Sequence, residues 1–224
     1  MSRARILAGI RATLDAATST AVRRQSVTER LERPIEHPRP RRAMRGSEER
    51  LRQFKDFQHA LGVEIIAVDS VTAIPTAIAS YLQTLGLPPR VRRGSDPQLA
   101  GMPWDTAPGL VVETGPAQGG DTAGLSRAVA GVAETGTLAL ASGPGNPVTL
   151  GFLPDVHVVV LRADAIVGSY EEACALVLAE SAGALPRTLN LVTGASRTGD
   201  IGGKIVMGAH GPRRLAVILV AGEQ

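Results

Sequence analysis

Glu134 is the acidic residue whose surroundings most favour chemistry, because it stands between two apolar runs at 127–133 and 136–142. Thr135, Gly136 and Thr137 follow it directly and bring two hydroxyl groups close to the carboxylate. A carboxyl group in apolar surroundings must be hydrogen-bonded, paired or kept neutral. Such groups serve as acids, bases or nucleophiles, so Glu134 is a candidate catalytic residue and the next three residues are candidate ligand-binding residues. The alternative is that Glu134 only accepts hydrogen bonds from backbone N–H groups at a strand end.

A glycine-rich turn at 142–146 contains the next candidates, Ser142 and Gly143. Backbone N–H groups exposed in such a turn can surround an anion. The alternative is an ordinary tight loop, which the same composition also favours.

The polar segment 193–200 follows a predicted strand and contains Ser196, Arg197, Thr198 and Asp200. The planar guanidinium of Arg197 suits a carboxylate or a phosphate, and the two hydroxyl groups add neutral donors. The alternative is an internal ion pair between Arg197 and Asp200. A phosphate-binding P-loop is excluded, because Asp200 stands where that motif requires a lysine.

A fourth segment, 208–213, places His210 and Arg213 just before a predicted strand. His210 is a candidate acid, base or anion-binding donor, and the alternative is a structural loop histidine. We expect Glu134, Arg197 and His210 to share one pocket.

These segments separate elements whose patterns predict an α/β fold. Continuous apolar runs favour a sheet that helices cover on both faces, so a three-layer open sheet is expected. Its carboxyl edge is where such sheets bind ligands. Helices are predicted over 2–22, from Ser47 as the capping residue through Leu61, from Pro75, and over 170–182. Strands are predicted at 63–68, 109–114, 127–133, 136–142, 156–162, 188–193 and 215–220.

A Pro- and Arg-rich stretch over 32–46 predicts an extended linker, which divides the chain into a helical arm (1–46) and an α/β domain (47–224). Residues 1–56 contain fourteen Lys or Arg against seven Asp or Glu. This linker is expected to be a solvated tether, and the alternative is an arm that wraps a partner subunit.

Composition excludes several classes of protein. The 224 residues include one cysteine, Cys174, which rules out an internal disulfide and an iron–sulfur cluster held by these residues alone. Six aromatic residues are too few for a base-stacking surface, so nucleic-acid binding is not expected. The four histidines lie far apart, so no metal site is expected. No apolar run approaches the roughly 18 residues that span a bilayer, and the first twenty residues lack the continuous apolar stretch expected of a secretory signal, so a cytoplasmic location is expected.

Taken in order, the segments GVAETGTLAL, SGPGN, LPDVHVVVL, TGASRTGDI and GAHGPRRLAVILV resemble the LutC/YkgG family of lactate utilization proteins, which have a LUD domain. The opening SRARILAGIRATL is similar to that family's amino-terminal helix. The resemblance implies an open α/β sheet of the kind found in NagB, RpiA and the CoA transferases. It also implies membership of a three-protein system that oxidises L-lactate to pyruvate, in which partner proteins hold the iron–sulfur clusters and this chain holds no cofactor.

The chain departs from the family pattern at two places. Gly199 and Gly202 stand where the family has an alanine and an acidic residue, and 146–151 lacks the family's arginine. The missing arginine would make Arg197 and Arg213 more important for an anion.

Three functional hypotheses remain open from the sequence. The first is a non-redox component of the lactate-oxidising system that binds a small carboxylate or phosphorylated ligand at the glycine-rich edge. The second is an assembly protein without an active site, and the third is an acyl transferase of the CoA-transferase kind that uses Glu134 as the nucleophile.

Overall fold

The structure is a computed structural model that describes residues 2–17, 20–33, 38–199 and 206–221. It divides into two compact units, residues 1–39 and residues 40–224. The first unit contains helix α1 (Arg3–Ala17) and helix α2 (Thr20–Glu32). The helix predicted over 2–22 is thus found over residues 3–17, and residues 18–19 between the two helices lie outside the described part of the chain.

The second unit contains all the strands that the structure describes. Its helices are α3 (Ser47–Ala60), α4 (Ile74–Thr84), α5 (Pro97–Ala100) and α6 (Tyr170–Glu180). Its strands are β1 (Glu64–Val68), β2 (Arg90–Arg93), β3 (Val111–Thr114), β4 (Ala123–Arg127), β5 (Ala130–Val132), β6 (Thr137–Ala141), β7 (Val156–Arg162), β8 (Ile166–Val167), β9 (Leu189–Val192), β10 (Arg197–Thr198), β11 (Val206–Met207) and β12 (Arg214–Val220). In the described ranges, every helix is too short or too polar to cross a bilayer.

A parallel sheet of six strands forms the centre of this unit, in the order β1-β12-β7-β4-β2-β3. Its middle strands β7 and β12 are buried along nearly their whole length. Strands covered on both faces are continuously apolar, as their sequences predict.

A second sheet has the order β8-β5-β6-β9. In it β6 pairs antiparallel with β5 and β9, while β5 pairs parallel with β8. The strands predicted at 127–133, 136–142 and 188–193 thus belong to this sheet. A short buried apolar run predicts a strand, but the identity of its sheet depends on pairing between residues distant in sequence.

Helices cover both sides of this architecture, which confirms the α/β prediction. On one face of the central sheet, Ile78 and Leu82 of α4 are fully buried in the same cluster as Val158. On the other face, Phe54 of α3 packs in a cluster with Val159. Helix α6 packs against the outer face of the second sheet.

The last part of the predicted linker, residues 40–46, belongs to the second unit and packs within it. Ala43 is only 3% exposed. A Cβ atom at Gly168 would lie 1.9 Å from the Ala43 carbonyl oxygen, so the two backbones are in close contact. Gly46, and not Ser47 as predicted, is the N-cap of α3, although Glu48 and Glu49 occupy the first turn as expected.

Candidate functional site

Three neighbouring strands of the central sheet end in an arginine. Strand β2 ends at Arg93, β4 at Arg127 and β7 at Arg162, and β4 pairs with both of the others. Because the strands are parallel, all three arginines stand at the carboxyl edge. Open α/β sheets bind ligands at that edge, and guanidinium groups bind carboxylates and phosphates.

Arg127 is held by two carboxylates. Its Nε donates to Asp96 Oδ2 at 2.9 Å, and its Nη1 donates to Glu180 Oε2 at 3.2 Å. Its Nη2 donates to the other Glu180 oxygen, so Glu180 is bound in two places. Burial lowers the pKa of Arg127, but the hydrogen bonds to Glu180 and Asp96 outweigh it and raise that pKa above its ordinary value. Arg127 therefore remains a cation at any working pH.

Arg127 lines a cavity of about 260 Å³ at the carboxyl ends of β4 and β6. Two of the predicted ligand-binding residues, Ser142 and Gly143, line the same cavity. Asp96, Asn146, Glu180 and Ser181 supply its other polar side chains. The hollow thus contains one cation, two carboxylates paired with it and several neutral polar groups, so an anionic ligand would have to compete with Glu180 for Arg127.

The turn at 142–146 forms one wall of this cavity, but its amides are engaged within the protein. Gly143 N–H donates to the Asn146 carbonyl oxygen at 3.3 Å, and Asn146 N–H donates back at 3.0 Å. Ser142 N–H donates to the Thr188 carbonyl oxygen at 2.9 Å. Since these three amides already have partners in the protein, they are not available to an anion. The group in this hollow that could bind one is Arg127, which lies outside the turn.

Glu134 is only 6% exposed and is paired with a basic side chain. Its Oε2 accepts a hydrogen bond from Arg42 Nε at 3.2 Å. Arg42 lies in the segment before α3, so that segment supplies the cation that this buried carboxylate needs. A nucleophilic role for Glu134 would require both displacement of Arg42 and exposure of the carboxylate.

Hydroxyl groups cluster beside Glu134. Thr135 Oγ1 lies 2.8 Å from Thr137 Oγ1, and both are within 3.0 Å of the Tyr170 hydroxyl. Thr193 Oγ1 lies 2.7 Å from Thr137 Oγ1. Gly136, at φ 69°, makes the turn between the two threonines, and its carbonyl accepts from Gln58 Nε2. The ETGT segment is therefore a closed polar network, and Tyr170 is a member that the sequence does not predict.

Two predicted segments, 193–200 and 208–213, lie side by side. Ser196 N–H donates to the Pro212 carbonyl oxygen at 2.9 Å, and Thr198 pairs with Val206 across β10 and β11. Arg197 Nη2 donates to the Leu61 carbonyl oxygen at 2.8 Å. Asp200, a predicted ligand-binding residue and the alternative ion-pair partner of Arg197, lies outside the described residues.

His210 and Arg213 precede β12 and so stand at the amino edge of the central sheet, opposite Arg127. Arg213 Nε lies 3.6 Å from Asp155 Oδ1, which precedes the adjacent β7. The four candidate segments therefore do not share one edge of the central sheet, because a residue before a parallel strand lies at its amino end.

The structure does not bring Glu134, Arg197 and His210 together. Over residues 38–199 and 206–221, no hydrogen bond or ion pair connects any two of them. None of the three lines the Arg127 cavity or any of three other cavities found in the described part of the chain. Their catalytic and binding roles stay predictions.

Sequence reasoning misses Arg127, Asp96 and Glu180. The apolar run after Arg127 places this residue at the start of a strand, whereas the structure ends β4 there and begins β5 at Ala130. A usable signal exists at Asp96: an aspartate before Pro97 is typical of a helix start, and Asp96 does cap α5. Glu180 gives no comparable signal, because surface helices commonly carry glutamates.

The side chains that could ligate a metal ion do not form a metal-binding cluster in the described part of the chain. The described residues contain no group of three His, Cys, Asp or Glu side chains that could hold a metal ion. Cys174 is half-buried in α6.

Comparison with known proteins assigns a family. The sequence profile of the LUD domain matches residues 53–220. Similar curated proteins include an uncharacterized protein of Neisseria meningitidis (36% identical over 44% of this chain and 42% of that protein). They also include lactate utilization protein C of Geobacillus sp., which is 34% identical over 40% of this chain and 38% of that protein. The lactate utilization protein C of Deinococcus radiodurans is 38% identical over 43% of this chain and 45% of that protein. The matched region thus spans less than half of these relatives' length.

A solved structure extends the comparison over most of the fold. The crystal structure of a DUF162 family protein from Deinococcus radiodurans, at 1.70 Å resolution, matches 80% of this chain and 99% of its own. The two are 30% identical, with a TM-score of 0.59. The chain therefore belongs to the LUD domain family, as its resemblance to the LutC/YkgG proteins predicts.

Proposed function

We propose that this protein is a non-redox component of an L-lactate utilization system and that it binds a small carboxylate or phosphorylated ligand at the Arg127 cavity. The observation that carries the ligand part is the position of Arg127 at the carboxyl edge of β4, where its two terminal nitrogens face a carboxylate. The Geobacillus and Deinococcus relatives are named lactate utilization protein C, and these names support the proposal that this chain takes part in lactate utilization.

Iron–sulfur proteins of the same system are the proposed partners. The 224 residues contain a single cysteine, so cluster thiolates would have to come from other proteins. Electron transfer would then belong to those partners, while this chain binds the organic acid.

Calorimetric titration tests the ligand proposal. The full chain is titrated with L-lactate, pyruvate and a phosphorylated analogue such as phospholactate, alone and together with its partner proteins. We expect binding of at least one of these anions, and Arg127→Gln is expected to weaken it at least about tenfold because a charge-assisted pair is lost. Absence of binding in both settings would reject the ligand proposal.

An assembly role is a second candidate, which the surface of the first unit favours. Its two helices carry apolar side chains that are 48% to 77% exposed, namely Ile6, Ile10, Leu14, Val22, Val27 and Leu31. Exposed apolar side chains on helices favour association with another protein. Deletion of residues 1–39 should abolish co-purification with the partner proteins if assembly is the role of this unit, and unchanged co-purification would remove this candidate.

A further inference from the structure

The ion pair between Arg127 and Glu180 stands between two cavities. The first is the 260 Å³ hollow already described, and the second has a volume of about 480 Å³. Arg127, Val129 and Glu180 line both of them. The Glu180 side chain is therefore one of the groups at the boundary between the two spaces, beside Arg127.

The two carboxylates on Arg127 differ in how firmly they are held. Asp96 is 6% exposed, and its other oxygen accepts hydrogen bonds from the backbone N–H groups of Gln98 and Leu99. Asp96 thus fixes the guanidinium from its Nε side. The Glu180 side chain is 46% exposed, and Arg127 is the partner that the structure shows for its carboxylate.

Glu180 also occupies an unfavourable place on its helix. It is the last residue of α6, and no basic residue lies in that turn. A carboxylate at a helix carboxyl end is repelled by the helix dipole. The contact with Arg127 offsets this repulsion.

The second cavity has walls suited to an organic chain. Ala128, Val129, Leu176 and Ala179 supply apolar surface, while Arg162, Asp164 and Gln98 supply polar groups. A volume of 480 Å³ falls within the range of roughly 300–1,000 Å³ that is typical of pockets for ligands larger than lactate.

We infer that Glu180 is an internal substitute for a ligand carboxylate, and that the ligand is an organic acid whose carboxylate displaces Glu180 from Arg127 while its chain enters the second cavity. The exchange replaces one carboxylate by another, so the number of carboxylates bonded to Arg127 is conserved. This inference rests on the proposed function in taking a carboxylate as the ligand. It adds that Glu180 must be displaced, which we call the Glu180 gate, and that the ligand has a longer chain than lactate.

Calorimetric titration of the full chain with 2-hydroxyhexanoate and with L-lactate tests the gate. Glu180→Gln keeps the size of the side chain but removes the competing charge, and it should tighten binding of 2-hydroxyhexanoate about three- to fivefold. Arg127→Lys keeps a cation beside Asp96 but loses the two-pronged geometry, and it should weaken binding at least about tenfold. Thermal unfolding of each variant verifies that the fold is intact.

Two further variants serve as controls. Asp69→Asn removes an exposed carboxylate after β1, at the same edge of the sheet but outside both cavities, and it should leave both affinities unchanged. Ala179→Leu fills the second cavity from an exposed position on α6, and it should weaken binding of 2-hydroxyhexanoate at least about threefold while sparing L-lactate.

The outcomes separate this inference from the proposed function. Binding of 2-hydroxyhexanoate that follows this pattern, without any binding of L-lactate, would reject lactate as the ligand and support the gate. Binding of L-lactate that Arg127→Lys weakens but Glu180→Gln leaves unchanged would overturn the displacement of Glu180 and leave the proposed function standing. Binding of L-lactate that is insensitive to both variants would overturn the Arg127 site as well. Absence of 2-hydroxyhexanoate binding to Glu180→Gln also overturns the inference.

Discussion

His157 is a buried titratable side chain that lies outside the proposed ligand site. It is 1% exposed in β7, and its Nε2 lies 2.9 Å from Ser126 Oγ. Burial lowers the pKa of His157 from 6.5 to about 4, because an imidazolium cation would lose its hydration there. The native protein therefore keeps this ring neutral at physiological pH.

We expect the free energy of unfolding to fall as the pH is lowered from 6.5 towards 4, the interval between the ordinary and the native pKa of His157. In that interval the unfolded chain binds a proton that the native state does not, so acid favours unfolding by about 3 kcal/mol in total. Denaturant unfolding at several pH values measures the slope.

His157→Asn should remove this part of the pH dependence, although it lowers the stability overall. His59→Asn changes an exposed histidine near the end of α3 and serves as the control, with a slope like that of the unaltered protein. If His157→Asn retained the full slope between pH 6.5 and 4, other groups would have to be responsible.

At the scale of elements, the junction between β8 and α6 fixes the segment that carries Arg42. A Cβ atom at Gly168 would lie 1.9 Å from the Ala43 carbonyl oxygen, a distance that no side chain can occupy without backbone movement. Gly168→Ala should therefore destabilise the second unit by about 1–3 kcal/mol, as overpacking does. It should also move Arg42 away from Glu134.

Denaturant unfolding measures this loss, and Gly109→Ala is the matched glycine control. A Cβ atom at Gly109 meets nothing within 4 Å, so this variant should unfold at nearly the same denaturant concentration as the unaltered protein. Equal stability of the two variants would show that residues 40–44 do not pack as described.

The central strands could be predicted from sequence because burial on both faces requires continuous apolar runs, and β7 and β12 have them. Strand β2 could not, since three of its four residues are arginines and tertiary pairing places them in the sheet. The closeness of the Thr135 and Thr137 hydroxyl groups to Glu134 could be predicted from the ETGT segment, because these residues are adjacent in sequence. The ion pair of Arg127 and Glu180 does not, because it joins residues 53 positions apart.

At the scale of the whole molecule, the division into two units predicts separable stability. Residues 40–224 contain every strand described, the three apolar clusters and the Arg127 cavity. Deletion of residues 1–39 should therefore leave the melting temperature of the second unit within about 2 °C of the full chain.

Deletion of residues 1–46 is the informative contrast, because it also removes Arg42 and leaves Glu134 buried without its cation. This longer deletion should cost about 1–3 kcal/mol of stability, as the loss of one partner of a buried charge does. Differential scanning calorimetry of the two truncated proteins distinguishes these expectations. Equal melting temperatures for both would contradict a stabilising role for the 40–46 segment.

A crystal structure of Glu180→Gln with a bound 2-hydroxy acid would show directly whether Arg127 binds the carboxylate of the ligand. We predict one ligand carboxylate oxygen within hydrogen-bonding distance of each terminal nitrogen of Arg127, with Asp96 still on its Nε. A ligand bound instead beside Glu134, Arg197 or His210, with the Arg127 cavity empty, would contradict the account.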